Sequence, residues 1–198
     1  MGLNLQYQEG QTPLEDDEKD GLRIETITTR QELDEFEQQN IEQAVEWTMK
    51  LPSKYNAILT EDFVKRLHKK MYSDVWTWAG KFRKTNKNLG IDKWQIPTQL
   101  KSLLDDTRYW IENDIYPPDE IAIRFKHGIV TIHCFPNGNG RHSRLMADII
   151  AEKIFRQPVF TWGATNPEKG GNARADYLTA IRKADAGDIV TLMKFARS

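Results

Sequence analysis

The chain has 198 residues, of which 39% are hydrophobic and 29% charged, and its formal net charge is −1. That is enough for one domain with a proper core. It excludes a membrane-spanning protein, because no apolar run approaches the ~18–20 residues of a span. The polar N-terminus carries no signal-peptide pattern, and a single cysteine, Cys134, rules out an intramolecular disulfide framework. The expectation is a cytoplasmic protein.

The small net charge hides an asymmetry. Residues 1–46 carry 13 acids and 3 bases, whereas residues 47–198 carry 16 acids and 25 bases. The arm is either a solvated acidic tail or a cover folded over a basic body that binds anions. A basic body also suits nucleic acid, but no helix-turn-helix, RNA-binding or zinc signature is present. Neither a nucleic-acid nor a membrane partner is expected.

Residues 1–22, polar with Pro13 and the run EDDEKD, read as an extended arm. Thr28 or Thr29 caps a helix from about 31 to about 51. At ~100° per residue, Leu33, Phe36, Ile41, Ala44, Trp47 and Leu51 form its apolar stripe. Glu37 and Asn40 fall inside that stripe. A carboxylate there either reaches water at the edge or finds a partner, since burying it unpaired costs several kcal/mol.

Residues 52–59 connect to a helix over 61–72, capped by Thr60. The stretch 82–97 breaks the helical period with Asn86, Asn88, Gly90 and Asp92, and reads as a β-hairpin with Trp94 nearby, either beside the edge or in the core. A helix follows over 98–113. Pro117 and Pro118 break it, and Asp119 caps the next, over 120–132, whose buried face is Ile121, Ala122, Phe125, Ile129 and Ile132. His127 falls on the solvated side. After a turn comes a helix over 141–155, then a short extended piece at 159–161, a loop at 166–172, and helices over 173–184 and 188–196. The sum is an all-α bundle with one small hairpin.

Residues 132–144, IHCFPNGNGRHSR, concentrate the chemistry. Gly138 and Gly140 permit positive φ and close backbone approach, so successive N–H groups can line one concavity. The helix that follows adds its unpaired N-terminal N–H groups and dipole. Arg141 and Arg144, three apart, present forks suited to phosphate oxygens. His133 stands at the entrance. Taken singly, each feature has a plain structural account: a loop, a core histidine, two solvated arginines.

HCFPNGNGRHSR resembles the signature H-x-F-x-(D/E)-G-N-G-R-x-x-R of the Fic/Doc (Fido) family and departs from it at Asn137. The segment YSDVWTWAGKFR at 72–83 is similar to what precedes the family's hairpin, or flap. The PNGNGRH variant and C-terminal pattern also resemble the bacterial subfamily called mobile mystery protein B. The resemblance implies a Fic-type helical bundle over 53–198, with residues 1–52 as an acidic arm and inhibitory-type helix. It implies a protein adenylyltransferase that moves AMP from ATP to a Ser, Thr or Tyr hydroxyl of a target protein.

In that scheme His133 is the base, while Gly138, Asn139 and Gly140 hold phosphate oxygens through backbone N–H groups and the Asn139 amide. Arg141 and Arg144 neutralise the leaving pyrophosphate, and Tyr177 lies near the adenine or simply packs in the core. Lys87, Asn88, Leu89, Gly90 and Ile91 form the flap edge that pairs with the target. Glu37 is the inhibitory glutamate and would face Arg144. Asn137 replaces the acid that holds Mg²⁺; its uncharged oxygen leaves open weaker metal binding, weak activity or a different reaction. Two alternatives therefore stand beside the first: Doc-like phosphate transfer, and a nucleotide-binding regulatory protein with little turnover.

Overall fold

The computed structural model describes residues 12–164 and 173–198; the loop expected at 166–172 and the start of the arm lie outside them. After a single turn, α1 (Asp16–Lys19), the first long helix α2 (Arg30–Met49) opens on Thr29. The Thr29 hydroxyl accepts from the Glu32 N–H, and the Glu32 carboxylate accepts from the Thr28 and Thr29 N–H groups. That reciprocal box satisfies donors the helix cannot. The stripe expected on α2 is rotated. Phe36 is 39% exposed, and the buried line is Leu33, Glu37, Asn40, Ala44 and Thr48. Polar partners fix this register. The Asn40 amide donates to the Lys70 carbonyl and accepts from the Asp74 N–H, both at 3.0 Å, tying α2 to the end of α4 (Glu61–Tyr72).

The connector holds one further turn, α3 (Tyr55–Ile58). Beyond α4 come α5 (Ile96–Glu112), α6 (Pro118–Ile132), α7 (Asn139–Ile149), α8 (Ala173–Asp185) and α9 (Ile189–Ala196). The helix expected over 141–155 begins earlier and widens into a π-type turn at Ile150–Ile154. α6 lies at the centre, packed by α5, α7 and α9. Its inward face is the expected one, extended by Ile123 and by a lysine, Lys126, both fully buried. Asp119 does not cap α6; its carboxylate takes the Arg197 guanidinium instead. Leu14, Ile27, Leu33 and Ala44 share one buried cluster with Phe63, Phe125, Phe135 and Leu192.

The all-α reading holds, but the β-hairpin does not form. Among the described residues the one β-bridge joins Leu22 to Trp76, where the arm crosses the residues after α4. The segment 82–92 is irregular because its polar side chains take the backbone groups a ladder would use. Arg83 Nη1 donates to the Thr85 carbonyl at 2.8 Å and its Nη2 to the Ile91 carbonyl. Asn86 Oδ1 accepts from the Lys93 N–H at 2.8 Å, and its Nδ2 donates to Asp92. Trp94 is 80% exposed, so it is not a core residue.

Candidate functional site

α6 ends at His133, which caps it in the left-handed conformation (φ 58°, ψ 61°). A non-glycine residue held there carries local strain that the surroundings must impose. Here they do. Arg83 Nε donates to the His133 carbonyl at 2.6 Å, and Gly90 lies so close that a Cβ on it would meet His133 Cβ at 2.5 Å. The ring is fixed from both ends: one nitrogen bonds the Val130 backbone, and Nε2 is 2.9 Å from the Thr12 hydroxyl. Burial is the main reason the imidazole is lowered to about 4, with the charges of Arg83 and Lys87 adding and the Val130 bond opposing. It is neutral at pH 7 and able to accept a proton at Nε2.

Between His133 and α7 the loop is stapled by side chains to which the sequence assigns other roles or none. The Asn139 amide accepts from the Phe135 N–H (2.9 Å) and donates to its carbonyl (2.8 Å), so it holds the loop and is not turned toward a phosphate. His68, fully buried on α4, stacks on Phe135 at 3.7 Å. Its Nδ1 accepts from the Gly80 N–H, leaving Nε2–H to donate to the Asn137 carbonyl at 3.1 Å. His142 Nε2 donates to the Val64 carbonyl. Burial drives both rings down, His142 to about 4 and His68 well below the ordinary imidazole range. No sequence pattern separates such histidines from solvated ones. Cys134 is buried beside them, its thiol pushed up to about 12 by desolvation.

Of the two glycines, Gly138 alone takes positive φ (76°), as the N-cap of α7. A Cβ there would strike the Tyr72 ring at 2.5 Å. Gly140 sits inside the helix, and a Cβ added to it would find nothing within 4 Å. The N–H groups of Asn139, Gly140 and Arg141 belong to the first helical turn and have no carbonyl to bond within the helix. Such donors at a helix start can cradle an anion.

This difference gives a test. Gly138→Ala should cost ~1–3 kcal/mol from overpacking together with the left-handed backbone. Gly140→Ala should leave thermal stability equal or raise it by up to ~1 kcal/mol, since its methyl enters open space, yet should weaken ATP binding if the N–H groups of this turn are what a phosphate approaches. Thermal melts and titration calorimetry on both variants read the two effects.

The motif arginines meet different partners. Arg141 Nη2 donates to Glu37 Oε2 at 2.5 Å, while Glu37 Oε1 accepts from Trp76 Nε1–H at 2.7 Å. Glu37 therefore pairs with the first motif arginine, not with Arg144 as the resemblance implied. Its position on α2 faces Arg141 and the buried Trp76 directly. Burial alone would disfavour the Arg141 charge, but Tyr72 and Glu37 reverse this and hold it above its ordinary value. Of the two, Glu37 supplies the negative charge, since desolvation raises the Tyr72 hydroxyl and keeps it neutral.

Arg144 lies 5.4 Å over the Tyr177 ring. The Tyr177 hydroxyl accepts from Lys126 Nζ at 2.7 Å. Desolvation, reinforced by Arg144, pushes the Lys126 amine well below its usual range. A helical wheel reads a lysine as solvated, so nothing in the sequence points to Lys126. His127, unassigned from sequence, pairs with Asp185 at 2.8 Å.

Both ends of the Asn137 amide, the weak metal ligand the resemblance implies, already have partners. Its Oδ1 accepts from the Gly138 N–H at 2.6 Å and its Nδ2 donates to the Thr12 carbonyl at 3.0 Å, so both neighbours dictate the amide's orientation. Among the described residues no three His, Cys, Asp or Glu side chains converge as a metal-binding group. An Mg²⁺ here would take most of its ligands from water and phosphate oxygens.

On the flap, Asn88, Leu89 and Gly90 are exposed and Ile91 is half-buried. Lys87 is covered: its ammonium bonds Glu18 at 2.5 Å and Glu15 at 3.4 Å, with its side chain 1% exposed.

Residues 58–151 match the Fic/DOC family profile. Over 121 residues the chain is 27% identical to protein adenylyltransferase Fic of Drosophila grimshawi, covering 59% of this chain and 23% of that protein; the chain thus spans well under half of that relative. Fic-1 (residues 134–508) from C. elegans shares the fold, with TM-score 0.65 and 19% identity over 80% of this chain and 46% of that one. So does BepC from Bartonella tribocorum, solved with bound AMPPNP, with TM-score 0.64 and 16% identity over 92% and 97% of the two chains. Residues 58–151, which hold the glycine turn opening α7 and the imidazole beside it, are thus a Fic/DOC-type domain, and the fold around them is that of the Fic proteins.

Proposed function

We propose that the chain is a protein adenylyltransferase, moving AMP from ATP to a hydroxyl side chain of another protein, and that α2 restrains it through Glu37. The observation that carries this reading is the neutral imidazole of His133, its Nε2 already 2.9 Å from a side-chain hydroxyl, next to the first-turn N–H groups of α7. A base at that distance takes the proton of an attacking hydroxyl. The cradle and Arg141 stabilise negative charge on phosphate oxygens as pyrophosphate leaves. Arg144 adds positive charge on the other flank, and Tyr177, its hydroxyl held by Lys126, adds an aromatic face, which suits a nucleotide. BepC's bound AMPPNP agrees with a nucleotide as ligand. The exposed stretch 88–90 is the part of the flap open to a target segment.

Incubation with ATP labelled separately at the α and γ phosphorus tests the reading. Label from α on protein is expected, and His133→Ala should reduce it ~10²–10⁴-fold, the usual contribution of a positioned general base. Label from γ would replace adenylyl transfer by phosphate transfer. A second reading has one observation in its favour: Asn137 is committed to Thr12 and Gly138. It is a nucleotide-binding regulator with little turnover, and binding without transfer from either position would establish it.

A further inference from the structure

The hydroxyl that His133 bonds belongs to the chain's own arm. We infer that Thr12 is an intramolecular acceptor, a self-nucleotidylation site presented to the base of the same molecule. This rests on the reading above.

Four contacts place the residue. Its hydroxyl is 2.9 Å from His133 Nε2, across 121 residues of sequence. Its carbonyl accepts from Asn137 Nδ2 at 3.0 Å, one residue before the Gly138 cap of the cradle. The hydroxyl is therefore held between the base and the mouth of the phosphate site. Downstream, Lys87 Nζ bonds Glu18 at 2.5 Å, and Trp78 Nε1 donates to the Glu18 carbonyl at 3.0 Å. Leu14 is buried in the common core. The arm thus lies along the flap with matched charge and an apolar anchor. Thr12 itself is only 6% exposed, so contact with the imidazole is not incidental to a solvated tail.

Two other hydroxyls close to the loop are not offered to the base. Ser143 is fully buried and donates to the Gly140 carbonyl, and Tyr72 is buried with its hydroxyl on the Gly138 carbonyl.

The step balances without another reactant beyond a nucleoside triphosphate. Thr12 Oγ bonds the α-phosphorus, the bond from that phosphorus to the bridging oxygen breaks, and pyrophosphate leaves. The Thr12 proton passes to His133 Nε2 and then to solvent. Threonine becomes a phosphodiester of the nucleoside. The new negative charge and bulk cannot stay against Asn137 and the buried ring, so the modified arm leaves the flap.

The test uses the full chain, in its natural form and as Glu37→Gly, with α-labelled ATP and Mg²⁺, alone and with a bacterial lysate. Peptide mass mapping is expected to find one nucleoside monophosphate on Thr12, at a rate independent of protein concentration. Thr12→Val should abolish the label on this chain, Thr12→Ser should restore it, and His133→Ala should abolish it; thermal melts confirm that each variant folds. His133-dependent label on lysate proteins or on other residues, with none on Thr12, would overturn the acceptor assignment and leave the transferase reading standing. A rate rising with protein concentration would overturn the intramolecular part. No label anywhere, even with Glu37→Gly, would overturn both.

Discussion

Glu37→Gly is expected to bind ATP more tightly than the natural chain while melting at a lower temperature. The glutamate holds Arg141 Nη2 at 2.5 Å, so a triphosphate must compete with it for the full guanidinium fork. A hydrogen bond to a charged group contributes ~1.5–3 kcal/mol, so its removal should tighten apparent binding roughly 10- to 100-fold. Stability moves the other way. Glycine inside α2 costs ~1 kcal/mol, and the buried Trp76 N–H left without an acceptor costs a further ~1–3 kcal/mol.

Glu37→Gln separates the two contributions. Its amide oxygen still accepts from Trp76, while the negative charge on Arg141 is gone. It should therefore keep much of the gain in binding with less loss of stability. Calorimetric titration with ATP and parallel melts measure both quantities. Reduced stability with unchanged affinity in both variants would identify the pair as a strut and nothing more.

Acidification should unfold the protein well before its surface carboxylates alone would require. His133 and His142 are each lowered from 6.5 to about 4. A group depressed on folding contributes stability that is whole above its unfolded value and is lost as pH falls toward the folded one. The window is thus pH 6.5 down to about 4, and each ring forfeits ~3 kcal/mol across it. His68 acts in the same direction.

Asp148 opposes them. Desolvation raises its carboxyl to about 6 despite the bonds from Phe160 and Trp162, so its protonated form favours the fold and returns stability over the same descent. One carboxyl offsets about one ring, leaving a net loss of ~3 kcal/mol or more. Denaturant titrations at pH 7 and pH 4 should show it, and His142→Gln should flatten the profile. Equal stability at the two pH values would mean that these rings are not held neutral.

The parts of this fold that follow local rules are readable from the residues. Thr29 and Thr60 accept from the N–H three residues on, as caps do, and α6 buries the five apolar residues its period assigns. The glycine turn announces the start of α7. What cannot be read is whatever depends on a partner distant in sequence. Glu37 keeps the place its period gives it while Phe36 is turned out to 39% exposure, because Arg141 and Trp76 lie across from the glutamate. Asn86 and Asp92 look like hairpin turn residues, yet with Arg83 they consume the backbone groups of 82–92. Asn139 and Asn137, apparent ligand groups by position, are spent on Phe135, Gly138 and Thr12. Thr12 meets His133 with no periodicity or spacing to announce it. The helical scaffold is a local property of the chain, whereas the site is built mostly from its long-range polar bonds.

One consequence follows from the buried line of α2. Two of its five inward residues are apolar; of the other three, Glu37 and Asn40 tie α2 to its neighbours through directional bonds, while Thr48 bonds back to its own helix. A seam of hydrocarbon yields to heat or denaturant, whichever solute is present. A seam of ionic and amide contacts yields to a competitor of the right charge, at constant temperature. Millimolar polyphosphate should therefore loosen α2 where an equal ionic strength of sodium chloride does not, visible as faster hydrogen exchange in that helix.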